Sequence, residues 1–329
     1  MFTFARRAIP AFMLALVATA LAACGSSDEV ADASGQACKE TKTIGFSHPV
    51  GEAEAVKIVK KFVQKRAVEV GCVKVLLDNT TGSNLESQRA AVEGWVQQGI
   101  DAIVLWPVDN TAFTGLQKEA QDKGIKWLTY SSHMDGQDGS VGFDNVLSGK
   151  LIADDVAAWV RKHYPNGGVS AAVTQLAALP DLKGRWEEPI KKLKELNIPV
   201  VSQQDCADQT CGLQIGEDVL REHKDLRIFI GLNDDAALGA MKAFEAAKVD
   251  PDDVYIAGQD GGSQSLQAIA AGKFYKATAA IRLDQLGYSI IDNSLASING
   301  TGDTDKIAPT VLASLADKKT LTELQGMFQ

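Results

Sequence analysis

The stretch FIGLNDDAALGAMKAF (Phe229–Phe244) sets the reading of this chain. A short apolar run stops abruptly at an amide and two acids, Asn233, Asp234 and Asp235. An alanine-rich pattern with helical spacing starts at once. Apolar residues at three- and four-residue steps make an amphipathic helix, and a short apolar run before it makes a buried strand. The unit is therefore strand, polar turn, helix.

The unit recurs along the chain. Strands are expected at Thr43–His48, Val73–Asp78, Asp101–Pro107 and Lys126–Tyr130. Helices lie between them at Glu52–Val70, Asn84–Gly99 and Thr111–Lys123. The first helix buries Val56, Val59, Phe62, Val63, Ala67 and Val70, and Gly71 ends it in the cap position glycine favours. A second run opens with a helix at Val146–His163. It continues with strands at Val169–Thr174, Val200–Gln203, Arg227–Gly231 and Val254–Ala257. Its later helices are Trp186–Leu196, Gly212–Glu222, Ala236–Lys248 and Ser263–Ala271. Apolar strands alternating with amphipathic helices give parallel sheets covered on both faces. Two such runs make an α/β chain of two doubly wound domains.

In open parallel sheets, ligands bind beyond the carboxyl ends of the strands. That rule selects His48, Asp109, Ser131 with Ser132, Asn233 with Asp234, and Asp260. Each has a structural alternative. Asn233 can cap the helix that follows, unless Asp234 or Asp235 does so. Asp260 can serve only the turn before Gly261-Gly262. Asp109 is better placed to cap the helix at Thr111 than to meet a ligand. Trp95 is a core residue by its spacing, and Trp106 suits either the core or a cleft.

The amino terminus, MFTFARRAIPAFMLALVATALAAC, combines Arg6 and Arg7, an apolar run from Ala8 to Leu21, and small residues leading to Cys24. This is an export signal, too short for a membrane span. The segment Gly25–Gln36 is small and polar, as a flexible tether is. The net charge of −9, with dispersed charges and no basic block, excludes nucleic acid as a partner. Four cysteines remain after Cys24, and an even number in an exported chain points to two disulfides. Spacing favours Cys206 with Cys211 and Cys38 with Cys72, though sequence alone leaves the connectivity open. Cys38 and Cys72 precede the first two strands, and adjacent parallel strands start at one sheet edge. The four histidines show no metal-ligand spacing with these cysteines, so no metal is expected.

Two further features are resemblances. Leu21-Ala22-Ala23-Cys24 resembles the lipobox of bacterial lipoproteins, which implies a diacylglycerol on the Cys24 sulfur. The segments GIDAIVLWPVDNTA (Gly99–Ala112), VGFDNVLSGKLIADDV (Val141–Val156), GLNDDAALGAMKA (Gly231–Ala243) and AGQDGG (Ala257–Gly262) together resemble the type I periplasmic solute-binding proteins, in the ribose-binding-like branch that serves ABC transporters. The resemblance implies two lobes joined by a three-crossover hinge, with ligand in the cleft between them. The crossovers would fall near Phe143 and Asp144, at Ile281 to Asp284, and near Ala308. The expected organisation is then signal 1–23, tether 24–42, first lobe 43–143 plus 282–307, and second lobe 144–281 plus 308–329.

By that resemblance Asn233 and Asp260 would hydrogen-bond ligand hydroxyls, and Arg185 would bridge adjacent oxygens with its fork of donors. The chain also departs from the sugar-binding pattern. Ser131-Ser132 stand where Asp-Arg is usual. Val50, Glu52 and Ala53 stand where aromatic residues are usual, and so does Ala207. Ile281 replaces a glutamine, with Arg282 and Gln285 beside it. His48, Glu52, Ser131, Ser132 and Arg282 are therefore expected to complete the site. The solute is a sugar, a smaller or acyclic polyol, a modified sugar or another polar molecule. The partners implied are that solute, a membrane permease and the membrane through the lipid, with the protein a monomer and no cofactor. A dehydrogenase is excluded by the missing G-x-G-x-x-G after the first strand, and a hydrolase by the missing G-x-S-x-G. A repressor needs a leading DNA-binding domain where the export signal stands. A sensor using the same closure stays open as an alternative to transport.

Overall fold

The computed structural model of the chain describes residues 38–78 and 80–328. The expected export signal, Cys24 and all but the end of the tether lie outside these residues. The first run of units folds as β1 (Lys42–Ser47), α1 (Glu54–Val70), β2 (Val73–Leu77), α2 (Leu85–Gln98), β3 (Ala102–Leu105), α3 (Asn110–Asp122), β4 (Lys126–Tyr130) and β5 (Gly139–Phe143). The second comprises α4 (Asn145–His163), β6 (Ser170–Gln175), α5 (Gly184–Glu195), β7 (Val200–Asp205), α6 (Gln209–Glu222), β8 (Leu226–Ile230), α7 (Asp234–Ala246), β9 (Tyr255–Asp260), α8 (Ser263–Ala270) and β10 (Tyr275–Ile281). The chain ends with α9 (Leu283–Asn299), β11 (Asp305–Ala308), β12 (Thr310–Ser314) and α10 (Lys318–Gly326).

Two six-stranded sheets result, ordered β11-β5-β4-β3-β1-β2 and β12-β10-β9-β8-β6-β7. Every pairing is parallel except β10 with β12. This is the arrangement of two α/β lobes that the resemblance implies. The chain passes between the sheets after β5, after β10 and between β11 and β12. Central strands are buried along their length, β3 at all four residues, because helices cover both faces. Four strands escape a pattern reading. β5 (GSVGF) and β10 (YKATAAI) are built largely from glycine, alanine and polar residues. The edge strands β11 and β12 are short, and β11 is mostly exposed.

Both disulfides form. Cys38 and Cys72 sit 5.5 Å apart at Cα, before β1 and β2, whose pairing starts at Lys42 and Val73. Cys206 and Cys211, 5.7 Å apart, close the turn from β7 into α6. Closing so short a loop contributes about 2 kcal/mol. A Cys206→Ser/Cys211→Ser variant should lose about that much in a urea melt, with the fold retained by circular dichroism.

Helix α4 and helix α5 cross with their backbones touching. A Cβ at Gly149 would fall on the Gly184 carbonyl oxygen. This close approach brings Asn145, at the start of α4, within 2.8 Å of the Arg185 Nε.

Candidate interlobe binding site

The carboxyl ends of the strands of both sheets converge on one cavity of about 50 Å³. His48 follows β1, Trp106 follows β3, and Tyr130 and Phe143 end β4 and β5. From the other sheet Leu176 follows β6, Leu232 and Asn233 follow β8, and Asp260 and Ile281 end β9 and β10. Residues at the start of α1 and α9 complete the wall.

The second lobe supplies a buried ion pair. Arg185 Nη1 donates to Asp260 Oδ1 at 2.7 Å and to the Leu232 carbonyl at 3.3 Å, and Nε donates to Asn145. Its guanidinium lies 5.0 Å from the Phe143 ring centre, which adds a cation–π contact across the hinge. Among the described residues Nη2 and Asp260 Oδ2 have no protein partner, so both remain available to a solute. Burial raises the Asp260 carboxyl above its ordinary range, against the pull of Arg185, and the Asp235 and Glu54 charges add to the rise. Asp260 also holds φ at +114°, a region that side chains rarely adopt. Such strain persists only where the surrounding structure enforces it.

The first lobe supplies rings. His48, Trp106 and Tyr130 pack edge-on or tilted at centroid distances of 5.0 to 5.8 Å, with Phe143 beyond them. His48 Nδ1 accepts from the Val50 N–H, which leaves the proton on Nε2. Burial, aided by the Lys60 and Arg185 charges, lowers its pKa to about 3. The imidazole is therefore neutral across physiological pH.

The three polar residues after β8 divide three tasks. Asn233 caps α7 by accepting from the Ala236 N–H at 3.0 Å, and its amide donates to the Ala207 carbonyl at 2.8 Å. One N–H and one lone pair are left for the cavity it lines. Asp234 is fully turned inward. It accepts from the N–H groups of Gly261 and Gly262 and from the hydroxyls of Ser265, Tyr275 and Thr278, at 2.6 to 2.9 Å. Asp235 reaches across to the first lobe and accepts from the Glu54 N–H at 3.1 Å. Glu54 returns the contact, accepting from the Ser263 hydroxyl at 2.6 Å. Neither α1 nor α8 has a side-chain cap from its own lobe. Each amino terminus instead receives a carboxylate from the opposite lobe, where the helix dipole favours negative charge. Gly262 leaves room for this, since a Cβ there would meet the Glu54 carboxylate.

The profile of the family described as periplasmic binding protein domain matches residues 44–302, most of the chain. The chain belongs to that family. Its members are solute-binding proteins rather than enzymes. The chain is 27% identical over 254 residues to the ribose import binding protein of Bacillus subtilis, covering 76% of this chain and 79% of the relative. Among solved structures, an ABC transporter solute-binding protein from Bacillus halodurans with bound myo-inositol matches with a TM-score of 0.77 at 23% identity. That match covers 88% of this chain and 99% of the other. One from Mycobacterium smegmatis with bound glycerol matches with a TM-score of 0.76 at 25% identity, covering 85% and 96%.

Of the site residues that family resemblance and the strand-end rule select, the structure brings His48, Arg185, Asn233 and Asp260 to one cavity. It places four others elsewhere. Glu52 is exposed and accepts from the Gly82 N–H. Ser131 and Ser132 line a separate hinge-side recess with Val146 and Ile307, and Ser132 bonds Asn110. Ser131 turns away because its backbone takes a positive φ of 48°. Arg282 forks onto Asp284 at 2.9 and 2.5 Å on the second crossover. Asp109 caps α3, and Trp106 serves the core and the cavity together. The residues that pattern reading misses are Tyr130 and Phe143. They are ring-bearing ends of β4 and β5, and the strand-end rule selects polar ends alone.

Proposed function

We propose that this chain is the substrate-binding lipoprotein of an ABC importer. It captures a small polar solute, a sugar, sugar alcohol or related polyol, between its lobes and delivers it to a membrane permease without converting it. The observation that carries this reading is the interlobe cavity. Strand ends from both lobes wall it, and Asp260, Arg185 and Asn233 present unspent hydrogen-bonding capacity. A carboxylate accepts from hydroxyls, a guanidinium donates to adjacent oxygens, and an amide does both. The ribose-binding relative and the myo-inositol- and glycerol-bound structures support the polyol class. Lipid attachment at Cys24, supported by the sequence around it, would hold the protein at the outer face of a bacterial membrane.

A thermal-shift screen of sugars, polyols, organic acids and nucleosides tests the reading, with polyols expected to stabilise. Asp260→Asn should weaken the best ligand by about 1–3 kcal/mol, the range for leaving a buried polar group unmet. Stabilisation by organic acids alone would replace the polyol class.

Capture requires that a solute favour the closed form, and it can do so only by its differential affinity for closed over open. The crossed contacts of Asp235 and Glu54 bias that equilibrium without touching the cavity. An N-cap contributes about 0.5–2 kcal/mol. Asp235→Ala should therefore weaken apparent binding by up to that amount, with small-angle scattering showing a larger radius of gyration for the unliganded protein. An unchanged radius and affinity would remove the latch.

A further inference from the structure

The cavity's polarity is one-sided. The ion pair and the Asn233 amide all belong to the second lobe. Opposite them the first lobe presents Val50, Ala53, Val56 and Val59, from the approach to α1 and its first turns, with Trp106 and Phe143 beside them. Polar residues near that wall are turned elsewhere. Glu52 is held by Gly82. Glu54 Oε1 accepts from Ser263 across the cleft, and its Oε2, buried without a partner among the described residues, is not part of the cavity lining. From its side chains the first lobe offers the cavity hydrogen bonds at His48 Nε2, the Tyr130 hydroxyl and the Trp106 indole N–H, all three in the ring cluster and away from the aliphatic wall.

We propose that the solute is a partly deoxygenated polyol: a deoxy sugar or short alkane diol with adjacent hydroxyls along one edge and a methyl- or methylene-bearing face opposite. This rests on the solute-capture reading above and narrows its class. Adjacent hydroxyls meet Asp260 Oδ2, Arg185 Nη2 and the spare amide positions of Asn233. The hydroxyl-free face packs on Val56 and its neighbours. A fully hydroxylated ring would aim at least one hydroxyl at that aliphatic wall, where no side chain answers it. Water does not repair the mismatch. A water needs two or more polar partners, and the aliphatic wall of Val50, Ala53, Val56 and Val59 offers none from its side chains. A buried hydroxyl without a partner is strongly disfavoured, while a methyl in the same place is favoured.

Calorimetric titration with matched pairs tests this. The deoxy members are L-fucose, L-rhamnose and 1,2-propanediol. Their hydroxylated counterparts are L-galactose, L-mannose and glycerol. The deoxy member of at least one pair should bind at least tenfold more tightly. Val56→Thr, which adds a hydroxyl at nearly constant volume, should shrink that ratio at least threefold. Ala53→Ser makes the same change in a less buried place, should Val56→Thr fail to fold. Equal or tighter binding of the hydroxylated member in every pair that binds overturns the deoxygenated class and leaves polyol capture standing. No binding by either member of any pair, with nucleosides or organic acids binding instead, overturns both.

Discussion

Asp234→Ala is expected to lower the free energy of unfolding by about 3–5 kcal/mol, the upper range for a single substitution. The carboxylate gathers the β9–α8 turn, with two backbone N–H groups and three hydroxyls directed at it within a buried space. Alanine leaves these donors unmet, and each buried unmet donor costs about 1–3 kcal/mol before local relaxation. The neighbour Asp235, half-exposed and engaged at the cleft mouth, should cost no more than about 1 kcal/mol in the same urea melt. Similar losses at both positions would contradict the division of tasks. The same residue predicts a pH signature. Burial and the Asp260 charge push the Asp234 pKa up to about 7, against its hydrogen bonds. A carboxyl whose folded pKa lies above its unfolded value, near 3.8, holds its proton more tightly when folded. Its contribution is complete below that unfolded value and is lost as pH rises toward 7. His48 works in the opposite direction. Its folded pKa near 3 lies below the ordinary 6.5, so its contribution is complete above 6.5 and lost as pH falls toward 3. The two slopes oppose one another between roughly pH 4 and 6.5. Asp234→Asn should expose the His48 slope, with stability rising with pH across that window more steeply than in the parent.

The contrast between Asp234 and its neighbours shows what a sequence can carry. The strand-to-helix units were legible because parallel strands covered on both faces read as continuous apolar runs, as in Ala102–Leu105 and Leu226–Ile230. β5 and β10 were not, because glycine and alanine give no hydrophobic signal and are selected by close approach instead. β11 forms only because β5 offers it an edge, a fact of tertiary context. In the site, the strand-end rule located His48, Asn233 and Asp260, and family resemblance added Arg185. Neither could tell that Asn233 caps, Asp234 points inward and Asp235 reaches across. Successive residues at a helix start turn by about 100° each, so three adjacent polar side chains must face three surroundings. Which surroundings they face depends on the other lobe. Glu52 and Ser131 failed for a related reason. Proximity along the chain to a strand end says nothing of side-chain direction once the backbone turns, as Ser131 does at φ +48°.

Arg185 and Asp260 should behave as one unit. Arg185→Ala leaves a buried carboxylate unpaired beside the negative charges of Asp235 and Glu54, and breaking a buried pair in this way costs about 3–5 kcal/mol. Asp260→Asn leaves the guanidinium with Asn145, the Leu232 carbonyl and the Phe143 ring, so it should cost less. The double variant should be more stable than Arg185→Ala alone, because the stranded charge is gone. That reversal is read directly from urea melts of the three proteins. Simple additivity would mean that the pair is solvated and that the cavity is more open than its walls imply. Backbone strain gives a second handle on the same residue. At φ +114° a glycine is unstrained, while alanine bears the cost that aspartate now bears, of order 1–3 kcal/mol. Asp260→Gly should accordingly be more stable than Asp260→Ala, although both lose the acceptor. If the strained aspartate serves the proposed capture of a solute, both deletions should bind that solute equally weakly whatever their difference in stability.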